Sequence, residues 1–487
     1  MRELLSIQIL RQLTLLEYLV KNGEATLAEI SNATGYATRT LWQDAKQANT
    51  YLAPVQIETQ QSGLRLVIPQ ACSVRTIYNK VLCQSKEYNL IEYLFMHEGE
   101  TLEELAENLY LSLSTLRRMI GQMNKKLERF KIKIVTNPTY ITGDELSVSR
   151  FYIALFSEKY YDLSDLLSKE ECHTMNLLIE KIIKEGKVNF TFPDLQRMRI
   201  WGYVRLIRMK NNHTINYEKT LWLEYKFLKD KAFLAQFYRT FTINMDDNLL
   251  LQMFKVLFGG QYATSYVHLK EIINHGEEQK GIYNKIQEIL SNLSAQLDIS
   301  LQGTEEMQVR LYNILQLSDY RHSIIYNRSR QFLEGFVKEN RKIAEIFYEQ
   351  VSAVLQCSRD NYICDDVMFT LFTEWPELLE KLDSMLPEVK VGILFDSDMK
   401  HVELIRKMLK RHAKLKIDVA VPKTFSTFAG QIPGKDIDVL VTDIPGLSAP
   451  GIEIVCVQEY PTEKDWQDIL LAQERAFSNK MKEFAVE

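Results

Sequence analysis

Seven basic residues crowd the stretch from Ser114 to Lys133 (Arg117, Arg118, Lys125, Lys126, Arg129, Lys131 and Lys133), against one acidic residue, Glu128. Guanidinium and ammonium groups at this density suit phosphate oxygens, and Arg, Lys and Gln can also read base edges in a major groove. Farther on, His213 and His322 each follow basic residues, Arg208/Lys210 and Arg321. Among neutral side chains, imidazole is well suited to accept a phosphoryl group near neutral pH. A charge run is commonly a solvated face, and a loop histidine a polar surface residue. The elements that position these groups decide between the readings.

The basic stretch sits in the second of two ungapped copies of one pattern. Thr26 aligns with Thr101, Glu29 with Glu104, Ile30 with Leu105, Thr40-Leu41 with Thr115-Leu116, and Ala45 with Ile120. Each copy opens with Thr-x-x-Glu, a capping box. The spacing then predicts a short helix (Leu27–Ala33, Leu102–Asn108), a break at Gly35 or Tyr110–Ser112, and a longer amphipathic helix. Alternation at Val55–Gln60 and Leu64–Ile68, with a turn at Gln61-Ser62-Gly63, reads as a β-hairpin, as does Ile132–Val135 with Thr139–Ile141. Helix, turn, helix and hairpin make a winged helix, twice, with the long helix of each free to enter a DNA groove. One copy alone would equally suit a helical hairpin in a core.

On the second long helix Leu116, Met119, Ile120, Met123, Leu127 and Phe130 form an apolar stripe. At 100° per residue Arg118, Lys125 and Arg129 then point away from it, with Gln122 beside them. The first long helix carries Arg39, Trp42, Gln43 and Lys46, offset by Asp44, and is expected to supply less affinity. The candidate DNA contacts are Thr38, Arg39, Trp42, Gln43, Lys46 and Arg65 in the first unit. In the second they are Ser114, Arg117, Arg118, Gln122, Lys125, Lys126, Arg129, Lys131 and Lys133.

The whole chain is 487 residues with a formal charge of −5, which argues against coating nucleic acid by bulk electrostatics and for several domains. No apolar run is long enough to span a bilayer and Met1–Val20 lacks a signal-peptide pattern, so a cytoplasmic location is expected. The six cysteines are scattered with no Cys-x-x-Cys pair, reading as reduced thiols, and no metal cluster or catalytic triad is legible. The expectation is a protein that is not an enzyme and uses neither metal nor cofactor.

From about Leu146 to Leu386 the pattern is helical, with stretches at Val148–Tyr160, Cys172–Lys184, Leu195–Met209, Leu221–Phe237, Leu249–Phe258, Tyr283–Leu293, Met307–Leu317, Arg330–Val337 and Ile343–Leu355. A weaker repeat relates Arg199-Ile-Trp…His213-Thr-Ile to Arg310-Leu-Tyr…His322-Ser-Ile, with chance similarity of amphipathic helices as the competing explanation. After Pro387, strands at Val391–Phe395, Leu415–Val421, Ile437–Thr442 and Ile452–Val457 alternate with helices at Met399–His412 and Trp466–Phe477, a small parallel α/β domain. Asp396, Asp398 and Asp443 lie at its strand ends, where ligands of such sheets bind, but a partner-binding module is favoured over a phospho-aspartate site.

This order of parts resembles the Mga/AtxA family of virulence-type transcription regulators. The resemblance rests on the duplicated Thr-Leu-x-Glu-[Ile/Leu] units and on Met198-Arg-Ile-Trp-Gly-Tyr-Val-Arg-Leu-Ile-Arg-Met…His213-Thr-Ile. It implies a mainly α, multidomain chain. Two winged helix-turn-helix units (1–70, 71–145) precede two all-α phosphotransferase-regulation domains, or PRDs (146–277, 278–386), and a small domain like the EIIB component of sugar phosphotransferase systems (388–487). It further implies binding of double-stranded promoter DNA, a homodimer or higher oligomer, and phosphorylation by phosphotransferase-system carriers at His213, His322 and additionally His268. Asp396-Ser397-Asp398 stands where EIIB enzymes carry a phosphocysteine, so self-association is the expected role of that domain. An RNA-binding PRD antiterminator and a phosphotransferase-system phosphocarrier enzyme are the alternatives. The first would need a compact β-rich N-terminus. The second would need a C-terminal domain that accepts phosphate.

Overall fold

The structure is a computed structural model describing residues 1–60, 63–186, 192–215, 225–258, 262–317, 323–385, 387–412, 417–420 and 437–486. It is mainly helical and multidomain with a small C-terminal sheet. The chain separates into two compact units. One holds Met1–Leu293 with Gln302–Glu374, and the other Ser294–Leu301 with Trp375–Glu487.

The first unit begins with a 3-10 turn, Arg2–Leu4, and helix α1 (Ile7–Asn22), whose Leu13, Leu15, Leu16 and Leu19 are fully buried. Strand β1 (Glu24–Ala25), α2 (Leu27–Thr34), α3 (Thr38–Leu52), β2 (Gln56–Gln60) and β3 (Gly63–Val67) complete a winged helix with antiparallel sheet order β1-β3-β2. The second copy runs α4 (Val74–Gln84), α5 (Lys86–Met96), α6 (Leu102–Asn108), α7 (Leu113–Leu127), β4 (Ile132–Thr136) and β5 (Thr139–Gly143). The pairing Ile134↔Ile141 sets the register of its wing. Helices α4 and α5 lie where the periodicity gave no separate signal.

Both capping boxes form. Thr26 Oγ1 accepts from the Glu29 N–H at 3.1 Å, while Glu29 accepts from the Thr26 N–H at 2.8 Å. Thr101 and Glu104 repeat this at 3.2 and 2.8 Å. Each box satisfies helix-end donors that would otherwise lack partners. At the tight turn, Gly35 takes a left-handed φ of 75° in the first copy, and Tyr110 takes 54° in the second.

The long helix of each copy is also tied to its own wing, which the sequence did not disclose. Asn49 accepts from the Ile57 N–H and donates to the Ile57 carbonyl, both at 2.8 Å. Asn124, at the equivalent place on α7, grips Ile134 in the same way at 2.7 and 2.9 Å. A side-chain amide matches both partners of one peptide unit, so the wing's position is set from the helix.

Helices α8 (Glu145–Lys159), α9 (Lys169–Gly186), α10 (Phe192–Lys210), α11 (Lys231–Phe241) and α12 (Asp247–Phe258) follow. An aromatic cluster joins them to the second winged unit: Phe95 of α5 meets Tyr152 and Phe156 of α8 at 4.6 and 4.9 Å, and Tyr203 of α10 at 5.9 Å. The helix expected at Leu221–Phe237 is corrected. Residues 221–224 lie outside the described residues, and the helix begins at Lys231 because Asp230 caps it, accepting from Ala232 and Phe233 at 3.1 and 3.2 Å. Then come α13 (Tyr266–His275), α14 (Glu277–Leu297), α15 (Glu305–Gln316), α16 (Arg328–Glu339), α17 (Arg341–Leu355) and α18 (Tyr362–Glu374).

The second unit contains α19 (Leu378–Met385), β6 (Val389–Leu394), α20 (Met399–His412), β7 (Ile417–Ala420), β8 (Val439–Thr442), β9 (Glu453–Cys456) and α21 (Glu463–Val486). Its sheet is parallel in the order β7-β6-β8-β9. The final helix is longer than the expected Trp466–Phe477, because Thr462 and Asp465 form a further reciprocal cap at 3.3 and 2.8 Å. At the strand ends Asp398 accepts from the Lys400 and His401 N–H groups, and Asp443 from the Asp396 N–H at 2.9 Å.

Candidate nucleic-acid interface and the histidine behind it

The exposed face of α7 presents Ser114, Arg117, Arg118, Gln122 and Lys125, while Leu116, Ile120, Met123 and Leu127 are buried. Lys131 and Lys133, both exposed, lie at the start of the wing. With Asn124, Lys125, Glu128 and Ile132 they line a cleft of about 390 Å³ between α7 and β4. Three ammonium groups around one concavity can hold a phosphate, while the free face of α7 is open to base edges.

Some sequence candidates are placed differently. Helix α7 ends at Leu127, and Arg129 lies in a 3-10 turn (Glu128–Phe130), so it leaves the α-helical line of Arg118 and Lys125. Its guanidinium pairs with Glu3 and rests over the Phe130 ring, 4.5 Å from the centroid. Lys126 donates to the Glu3 carbonyl. Arg117 faces Glu103 at 3.7 Å with both side chains largely exposed, a pair worth little.

In the first unit Thr38, Arg39, Gln43, Lys46 and Arg65 are exposed and Trp42 is half-buried beneath Lys46, whose ammonium lies 5.0 Å from the ring centroid. Asp44 does not offset them. It is fully buried and paired with Arg11 of α1, whose Nη2 donates at 2.9 Å; that hydrogen bond and charge raise the Arg11 pKa. The free face of α3 therefore keeps its positive charge.

His213 follows α10 and is not a free surface residue. Its Nε2 lies 2.8 Å from Glu98, in the loop between α5 and α6, and its ring sits 6.1 Å from Tyr140 of the wing. The second oxygen of Glu98 accepts from Arg208 at 2.5 Å. Arg208 is fully buried and also donates to Glu145 at 3.0 and 2.6 Å and to the wing carbonyl of Ile141 at 3.1 Å. Arg205, one turn earlier, donates to Glu145 at 2.5 Å, Ser149 at 2.8 Å, Gln252 at 2.9 Å and the His213 carbonyl at 3.2 Å. Burial lowers the Arg205 pKa despite Glu145. Burial also opposes the Arg208 charge, but the hydrogen bonds and charge of Glu145, with Glu98, raise it on balance. Two guanidinium groups against two carboxylates leave this buried set balanced in charge, with His213 at its edge.

Arg208 was expected to flank His213 as a free basic group; it reaches the histidine through Glu98 instead. Lys210 is exposed. Glu98 and Glu145 escaped the sequence reading. The available signal was two arginines one turn apart on a helix whose neighbours Val204 and Leu206 are core residues. His268 lies in the first turn of α13, its Nδ1 3.0 Å from Thr264 Oγ1. His322, with Arg321, lies outside the described residues.

A family model described as the Mga helix-turn-helix domain matches residues 70–156, which take in the second winged unit and most of α8. The chain is 20% identical, over 91% of its length and 93% of the relative's, to a candidate trans-acting regulator of Streptococcus pneumoniae. It is 21% identical to the capsule synthesis positive regulator AcpA of Bacillus anthracis, over 95% and 98% of the two chains. To the anthrax toxin expression trans-acting positive regulator of Bacillus anthracis it is 19% identical, over 94% and 97%. No helix of the described residues is long and apolar enough to cross a membrane.

Proposed function

We propose that this chain, which is Mga/AtxA-like over most of its length, is a transcription regulator whose second winged unit supplies the main hold on promoter DNA. The observation that carries this is the joining of Lys125 of α7 with Lys131 and Lys133 at the start of the wing around one cleft. The first unit, with Arg39, Gln43, Lys46 and Arg65 exposed, adds a weaker contact. Two relatives bear names of positive regulators, which favours activation over repression here.

Control runs through His213, with His322 and His268 as further phosphoryl acceptors and phosphotransferase-system carriers as donors. A phosphoryl group on Nε2 cannot share that nitrogen with Glu98, and it adds nearly two negative charges beside a balanced buried set. Glu98 is then released or repelled, and with it one of the bonds that hold Arg208 against the wing. The C-terminal α/β domain serves self-association rather than phosphotransfer. Asp398 is occupied in capping α20 and Asp443 in binding the Asp396 backbone.

The test is a binding assay with genomic fragments, before and after incubation with active phosphocarrier proteins, combined with phosphopeptide mapping. Fragment capture that changes with label on His213 is the expected result. Absence of capture refutes the DNA reading. Capture without label on any of the three histidines refutes the phosphorylation reading.

A further inference from the structure

We propose that the first five residues form a clasp that holds part of the basic charge behind α7 away from DNA, and that its far end is fastened to the segment Ile324–Tyr326. This rests on DNA binding by the second winged unit and names a control on that same surface.

Glu3 occupies two of the seven cations. Its carboxylate pairs with Arg129 and its carbonyl accepts from Lys126. A phosphate oxygen seeks the same two donors, so clasp and phosphate exclude each other at these groups. The neighbours of Glu3 fix it in place. Leu4 and Leu5 are buried, and the Tyr88 hydroxyl donates to the Met1 carbonyl at 2.8 Å. Arg2 reaches the other way: its Nε and Nη2 both donate to the Ile325 carbonyl, at 3.1 and 2.7 Å, and its Nη1 to Glu17 at 2.9 Å.

The segment that Arg2 holds is itself firmly seated. Glu158 accepts from the N–H groups of Ile324, Ile325 and Tyr326 at 2.5, 2.9 and 2.9 Å, and Tyr326 packs on Tyr78 at 4.6 Å. Ile324 and Ile325 are buried in the same core as Leu4 and Leu5. A continuous path of contacts therefore runs from Ile325 through Arg2 and Glu3 to Lys126 and Arg129. His322 precedes Ile324 by two residues, so a change at that histidine has a short covalent route to the path. Coupling of this kind is reciprocal: whatever loosens Ile324–Tyr326 frees the cations, and DNA that takes the cations loosens Ile324–Tyr326.

The test is a fluorescence-anisotropy titration of a labelled duplex at several salt concentrations, using the full chain and the variants Glu3→Gln, Arg2→Gln, Glu107→Gln and Lys125→Ala. Glu107, exposed on α6, supplies a matched loss of negative charge outside the clasp. Glu3→Gln removes the carboxylate that pairs with Arg129 but keeps the carbonyl that Lys126 uses. It is therefore expected to bind more tightly, with a log–log salt slope steeper by about 0.9, the effect of one further phosphate neutralised. Glu107→Gln leaves the slope unchanged. Arg2→Gln is the sharper case: a lost cation alone weakens DNA binding, whereas an opened clasp strengthens it. A slope for Glu3→Gln no steeper than for Glu107→Gln, or weaker binding by Arg2→Gln, overturns the clasp. Lys125→Ala reads the underlying premise separately. If it binds like the unmodified chain, the second unit is not the DNA contact and the clasp falls with it. Should a variant fail to fold, hydrogen exchange on the unmodified chain decides. Saturating DNA is expected to raise exchange at residues 2–5 and 324–326, and unchanged exchange there overturns the proposal.

Discussion

Arg208→Met should detach the second wing from the helices behind it. The methionine keeps much of the arginine's length but removes four hydrogen bonds: two to Glu145, one to Glu98 and one to the Ile141 carbonyl. Glu145 retains Arg205, but Glu98 is left with His213 as its partner at this junction. Both carboxylates are only 11–12% exposed, so solvent gives little relief. Removing one member of a buried pair typically costs about 3–5 kcal/mol, and the slight exposure points to the lower end, about 3. That is roughly a hundredfold in a local opening equilibrium. Hydrogen exchange of the β5 amides, Thr139–Gly143, is the assay, because global melting of a multidomain chain does not yield one free energy. Arg208→Lys, which keeps the charge but not the fork, should fall between the two. Protection in Arg208→Met within about threefold of the unmodified chain would refute the reasoning and reduce this network to a passive contact.

Asn124→Ala should loosen the wing by about 1–3 kcal/mol, the cost of stranding the Ile134 N–H and carbonyl, and weaken DNA binding more than Asn49→Ala; equal effects on binding would contradict the unequal roles of the two units. Glu158 predicts a pH dependence. Burial pushes its carboxyl from 4.5 up to about 7, although the backbone donors of Ile325, Ile324 and Tyr326 pull the other way. The folded chain thus keeps a proton that the unfolded chain releases near 4.5, and the resulting contribution to stability falls as pH rises from about 4.5 to about 7, by at most about 1.4 kcal/mol per unit. Opening free energies of the Ile324–Tyr326 amides, from hydrogen exchange corrected for intrinsic rates across that window, should lack this decline in Glu158→Gln, and an unchanged pH profile would count against it.

What the sequence made legible was local. The two Thr-x-x-Glu boxes form, helix α20 matches its expected bounds, and both wing hairpins lie where alternation placed them. These features depend on neighbours a few residues apart. The contacts proposed for control depend on distant partners. Glu98 and Arg208 are 110 residues apart, and Arg2 and Ile325 are 323 apart. Helical periodicity also failed at the end of α7, where the chain tightens into a 3-10 turn and redirects Arg129 to Glu3. Asp44 misled for a related reason: read from its own helix it opposed the positive face, but its buried partner Arg11 comes from α1.

The most direct test of the account is the salt dependence of DNA binding by the triple variant Arg118→Ala, Lys125→Ala, Lys133→Ala. These exposed cations span the free face of α7 and the cleft beside the wing. With three phosphates no longer neutralised, binding to every sequence should weaken and the log–log slope should flatten by about 2.7, at about 0.9 per phosphate. A folded variant that binds the same duplexes with the slope of the unmodified chain would contradict DNA binding through the second winged unit.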